Sequence, residues 1–189
     1  IGDSWHSFIK FLLNDGTAGL WGMLFSRELF TDAEYTAIPG MKQSEDRRLL
    51  TEILLKKKPS VVTTAHTVYF YWINSGSTTR AKRTDESVRS QFDALFGCYR
   101  LIEDATSDFT DDNDRQMIRH LSRYIESGTD ARLLTDMNPE CRRLLRFKEM
   151  QRLTGLRFAF HTFMCIRSGA YASLMTMLRN SIRRMQGKA

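Results

Sequence analysis

No apolar run in this sequence approaches the roughly 18 to 20 residues that a membrane span needs, so contact with a bilayer is expected to be peripheral. The opening Ile1-Gly2-Asp3-Ser4 lacks the charged-then-apolar layout of a secretory signal. Cysteine is scarce. Cys98, Cys141 and Cys165 are odd in number and far apart, a poor basis for a disulfide framework, and are expected as small buried thiols in a reducing compartment. None of the 11 glycines falls in a GxxxxGK[ST] or GxGxxG pattern, which removes the backbone cradle that nucleotide chemistry uses. No local nucleophile signature surrounds any cysteine. There is no CxxC or HxxxH pair. His161 and Cys165, four apart on one helix face, are two ligands short of a zinc site, so no metal or cofactor is expected. The histidines His6, His66, His120 and His161 are scattered among apolar neighbours and read as packing residues, although imidazole is also the side chain that changes charge near neutrality. With no acid, base and nucleophile grouping in view, an enzyme is not expected. Three prolines and no Ser/Gly-rich tract, beside 42% apolar and 26% charged residues, exclude wholesale disorder.

What the chain does have is positive charge, unevenly distributed. The formal net charge is +6 at pH 7. Residues 1–41 hold 2 Lys and Arg against 5 Asp and Glu, residues 42–89 hold 10 against 5, residues 90–130 hold 4 against 9, and residues 131–189 hold 12 against 3. Basic blocks of this kind attract nucleic acid or anionic lipid. An acidic block in the same chain adds a way for copies to dock, basic region to acidic region.

Apolar spacing predicts an all-α chain. Ser4 caps a short helix through Phe8, Ile9, Leu12 and Leu13, a second runs from about Thr17 to Phe30 with Leu20, Leu24 and Phe25, and Ser44 opens a third with Leu49, Leu50, Ile53 and Leu54. Residues 60–73 are β-favouring by composition, but no other segment reads as a partner strand, so they are expected as a buried helix. Asn74 to Arg83 is polar, basic and glycine-containing, which places a linker there. The expected organisation is a helical-bundle lobe over 1–75, a basic linker over 76–84 and a second helical lobe over 85–189. In that second lobe a helix to about Ile102 buries Val88, Phe92, Leu95 and Phe96, and the next carries Met117, Ile118, Leu121 and Ile125. Asn138-Pro139 starts a long run on through Met164, and Ser168-Gly169 opens the last helix.

Basic clusters are the candidate functional residues. Lys56, Lys57 and Lys58 end a helix. Arg80, Lys82, Arg83 and Arg89 straddle the linker, Arg142, Arg143, Arg146, Lys148 and Arg152 form a dense helical group, and Arg179, Arg183, Arg184 and Lys188 finish the chain. Several such charges acting together give additive, salt-sensitive attraction to phosphates or lipid headgroups. Aromatic side chains interleaved with them, which base readers need, are mostly missing, so plain charge attraction is expected over sequence readout.

Glu52-Ile53-Leu54-Leu55-Lys56-Lys57-Lys58-Pro59, the aromatic Thr67-Val68-Tyr69-Phe70, the basic stretch Arg80 to Arg89, and Phe92 to Leu95 follow one another in an order that resembles the matrix protein of orthomyxoviruses, the influenza-like viruses. Asp111-Asp112-Asn113-Asp114-Arg115 and Ser168-Gly169-Ala170-Tyr171-Ala172-Ser173, each opening a helix, echo the same family; the pieces cover roughly half the chain, with insertions between them. Two features of the family depart. Its basic nuclear-targeting run after the acidic loop is reduced here to Arg115, Arg119 and Arg123, and its Cys/His pattern is absent. The length suits a shorter relative from a divergent branch. The resemblance implies two helical lobes and a non-catalytic virion protein that coats the inner face of the envelope. It also implies a self-assembled lattice that bridges anionic membrane to RNA or ribonucleoprotein, found beneath the envelope and at the cytoplasmic face of host membranes, or in the nucleus. The alternative is a helical RNA-binding nucleoprotein or nucleic-acid-binding regulator, which needs an RNA-sized cleft or a reading helix.

Overall fold

The computed structural model describes residues 4–14, 20, 22–31, 35, 45–63 and 85–185. Every regular element among the described residues is helical, so the chain is all-α, as its apolar spacing predicts. The order is α1 (Trp5–Asn14), a 3-10 turn (Arg27–Phe30), α2 (Glu45–Lys57), α3 (Asp85–Ala105), α4 (Thr110–Glu126), α5 (Ala131–Met137), α6 (Glu140–Leu144), α7 (Phe147–Thr154), α8 (Leu156–Arg167) and α9 (Gly169–Met185).

Two compact units are distinguished, Ile1–Asn113 and Asp114–Ala189. The linker expected at 76–84 lies outside the described residues. The division falls within α4 and groups α3 with the first unit, because α3 packs on α2.

In the first unit, α1 begins where Ser4 Oγ accepts a hydrogen bond from the Ser7 amide at 3.2 Å, a side-chain cap for an otherwise orphaned N–H. Its Phe8, Ile9, Leu12 and Leu13 join Leu50 and Leu54 of α2, Ile102 of α3 and Phe109 in one buried cluster. Acidic Glu45 and Asp46 open α2 and Lys56 and Lys57 close it, each charge matching the helix dipole. The helix stops at Lys58, whose φ of 45° is left-handed, with Pro59 next. On α3, Val88, Phe92, Leu95 and Phe96 are buried as their spacing predicts. Gly97 faces α2, and Arg48 Nη1 lies 2.7 Å from where a Cβ on Gly97 would sit.

Two expectations for this unit change. The helix predicted over 17–30 does not form across its described part: residues 22–26 are non-helical and only Arg27–Phe30 makes a 3-10 turn. Gly22 adopts a φ of 79°, a conformation that ends helical winding. Of the helix predicted over 60–73, residues 64–73 lie outside the described residues. Ser60 makes an isolated antiparallel bridge to Ser4, and residues 61–63 are irregular.

In the second unit, Met117, Ile118, Leu121 and Ile125 of α4 are buried. The turn after α4 is closed by Gly128 at a φ of 97°. Helix α5, only seven residues long and missed by apolar spacing, is capped by Asp130, whose carboxylate accepts from the Arg132 amide at 2.8 Å. Asn138 Oδ1 accepts from the Glu140 amide at 3.0 Å and so starts α6, with Pro139 between them. The single run expected from there through Met164 is broken twice, once after Leu144 and again at Gly155, whose φ of 86° separates α7 from α8. Ile118, Leu121, Leu134, Cys141, Leu144, Met150, Ala159 and Thr162 form the buried interior of this unit.

Candidate polyanion-binding surface

The expected basic residues separate into groups with different fates. Arg143 is structural. Its Nη1 donates to Asp114 Oδ2 at 2.8 Å and its Nη2 to Asp114 Oδ1 at 2.7 Å, a fork-to-fork pair. Asp114 is only 1% exposed. The same guanidinium also meets Glu140 and, at 3.7 Å, Glu149. Arg152 pairs with Glu149 at 2.7 Å, and Arg142 approaches Asp136 at 3.7 Å across an exposed, water-screened gap. The dense group from Arg142 to Arg152 is therefore largely neutralised by its own neighbours. Arg146 and Lys148 are the exceptions, exposed and in no ion pair among the described residues.

Those pairings use up every acid of the C-terminal region. Asp136, Glu140 and Glu149 are the only carboxylates in residues 131–189, and from Met150 to Ala189 the sequence has seven cations and no acid. Arg157, exposed at the start of α8 and in no ion pair among the described residues, lies in this acid-free tract. It stands apart from every basic cluster of the sequence, and the acid-free tract around it is the only sequence signal that marks it. Arg167 is also exposed there and lies over the Phe163 ring at 5.3 Å. Arg179, Arg183 and Arg184 fall within α9, but their side chains, like all of Lys188, lie outside the described residues.

In the first unit, Lys56, Lys57 and Lys58 are exposed yet each makes a local contact. Lys56 reaches Glu52 at 3.5 Å and lies over the Tyr35 ring at 5.5 Å; Lys57 donates to the Thr31 carbonyl at 2.9 Å; Lys58 lies over the Trp5 ring at 5.3 Å. Their ammonium groups remain at the surface, a short row of cations on one helix end. Arg89 is exposed on α3, whereas Arg80, Lys82 and Arg83 lie outside the described residues.

A second polar cluster is centred on His161. His161 Nε2 lies 2.9 Å from Glu126 Oε1 and 3.8 Å from Cys165 Sγ, while Nδ1 meets the Tyr171 hydroxyl at 3.2 Å. A nucleophilic relay places thiol and carboxylate on opposite ring nitrogens, and here both face the same one. The adjoining cleft is lined by Glu126 and Asp130, but Glu126 is held by His161 and Asp130 caps α5. All three cysteines are free and buried, as expected from sequence. Burial pushes the Cys98 thiol up to about 11, against the lowering pull of Arg47 and Arg48, and the Cys141 thiol up to about 12. Neither is an activated thiolate at neutral pH.

Exposed cations of this kind attract an extended anion through weak, additive, salt-sensitive contacts. Comparison with protein-family models, with curated proteins and with solved structures finds no match to this chain.

Proposed function

We propose that the chain is a non-catalytic viral matrix protein of the orthomyxovirus type, which binds anionic membrane and ribonucleoprotein through basic surfaces and assembles with copies of itself. The observation that carries this reading is the segregation of charge between the compact units. Asp114–Ala189 holds 15 Lys and Arg against 6 Asp and Glu, while Ile1–Asn113 holds 13 against 16. The acids after residue 130 are engaged by Arg142, Arg143 and Arg152, so Arg146, Lys148 and Arg157, exposed and in no ion pair among the described residues, are left to an outside partner. Each cation near an anionic surface adds about 1 kcal/mol, so several together give firm but salt-sensitive attachment. The same segregation lets the basic unit of one copy meet the acidic unit of the next, a head-to-tail contact that propagates into arrays. The ordered motifs shared with orthomyxovirus matrix proteins give the reading its name.

Vesicle flotation at about 0.15 M salt tests it. The protein is expected to float with vesicles containing phosphatidylserine, to stay behind with phosphatidylcholine alone, and to form planar arrays on the charged vesicles in electron micrographs. Retention by neither anionic vesicles nor RNA overturns the reading. Nuclease protection of a fixed RNA length per protomer, without vesicle binding, selects the nucleoprotein alternative instead.

A further inference from the structure

Helix α9 keeps its apolar stripe on the outside. Leu174, Met177, Leu178 and Ile182 are each about half exposed, between 48% and 61%. Their spacing, i, i+3, i+4 and i+8, puts them on one face. The inner side of the helix is already fixed: Ala172 is buried, Thr176 Oγ1 donates to the Glu126 carbonyl at 3.0 Å, and the Tyr171 hydroxyl meets His161. Leu156 and Phe160, i and i+4 on α8, are exposed as well. A helix of a water-soluble surface normally turns polar residues outward, and a contiguous apolar stripe marks a place where something docks.

Charge decides what that partner is. Helix α9 has Arg179, Arg183 and Arg184 in its sequence and no acid. A second copy docking through the same face would bring like charges together. A nucleic-acid backbone matches the cations but offers nothing to the apolar stripe. An anionic lipid surface answers both, because an interfacial helix sinks its apolar face into the headgroup boundary while its cations meet lipid phosphates. No described helix is long and apolar enough to cross a membrane, so this one would lie in the plane of the interface.

We propose that α9 is a membrane-insertion helix, with Leu174, Met177, Leu178 and Ile182 entering the acyl boundary of an anionic bilayer. The proposal rests on the matrix reading and adds apolar insertion to charge attraction.

The test uses the full chain, phosphatidylserine-containing vesicles, the double variant Leu174→Ser/Leu178→Ser, and an environment-sensitive dye on Ser181→Cys. Wild type is expected to keep a measurable fraction of its vesicle binding at about 1 M salt, where exposed charge pairs are screened. The double variant is expected to lose about tenfold or more in affinity at about 0.15 M salt. The dye emission is expected to shift to the blue on vesicle addition. Binding that vanishes entirely at high salt with no dye shift overturns insertion while leaving charge attraction intact. So does a lipid-free dimer that the double variant converts to monomer, which assigns the stripe to a second copy. Wild-type protein that ignores anionic vesicles at about 0.15 M salt removes the membrane reading itself, and the insertion with it.

Discussion

The Arg143 guanidinium and the Asp114 carboxylate meet fork to fork across 29 residues of sequence, with both N···O distances between 2.7 and 2.8 Å. This pair joins α6 to α4 inside the second unit and removes Arg143 from any anion-binding surface. Arg143→Ala strands a carboxylate that is only 1% exposed. It is expected to lower unfolding free energy by about 2–4 kcal/mol, less than a fully buried pair because Arg143 itself is partly solvated. Arg146→Ala, three residues on, is expected to change stability by no more than about 0.5 kcal/mol. Urea denaturation of the two variants side by side checks the contrast; equal stability contradicts it.

A close approach of α2 to α3 gives a second prediction. Arg48 Nη1 occupies the space a Cβ on Gly97 would need, and Arg48 Nε is tied at 2.9 Å to Glu52, which is 2% exposed. Gly97→Ala should therefore displace a guanidinium that neutralises a buried carboxylate, and destabilise. In an Arg48→Ala background the same change should gain about 0.5–1 kcal/mol from helix propensity. Thermal unfolding of the double-mutant cycle reads the sign change. Two singles that simply add argue against the contact.

Alkaline pH supplies a third. Burial holds Cys98 up to about 11 and Cys141 up to about 12, from an ordinary value of 9.0. Once unfolded, these thiols ionise at lower pH than they do in the native chain, so the unfolded state binds fewer protons there. Stability is accordingly intact below about pH 8 and falls as pH rises from about 9 toward 11. Between about pH 8 and 10.5 the wild type should lose about 3–4 kcal/mol more than Cys98→Ala/Cys141→Ala loses over the same range. Parallel losses in the two proteins contradict the assignment.

The fold class and most helices were legible because their signal is local. Leu50, Ile53 and Leu54, and again Met117, Ile118, Leu121 and Ile125, repeat at helical spacing and are buried where that spacing puts them. Breaks set by backbone dihedrals were harder to read. Nothing adjacent to Gly22 or Gly155 distinguishes a glycine that continues a helix from one at positive φ. Helix α5 has seven residues, too few for a period to show. The roles of the arginines were least legible. Arg142 and Arg143 are neighbours of the same type, and only the tertiary arrival of Asp114 makes one a structural ion and leaves the other at the surface. Arg115 is a similar case, its Nε donating to the Leu153 carbonyl at 2.8 Å in the last turn of α7.

The central claim is that cations left without acidic partners bind an extended anion. Arg146, Lys148 and Arg157 carry it most plainly, being exposed and, among the described residues, in no ion pair. The decisive measurement is the affinity of Arg146→Glu/Lys148→Glu/Arg157→Glu for phosphatidylserine vesicles and for RNA over a range of salt, beside Arg143→Ala. The triple reversal is expected to fold with near wild-type stability and to bind at least about a hundredfold more weakly at about 0.15 M salt, with a shallower salt dependence. Arg143→Ala is expected to lose stability with far less loss of binding. A triple variant that binds anionic vesicles and RNA as wild type does, with the same salt slope, contradicts the account.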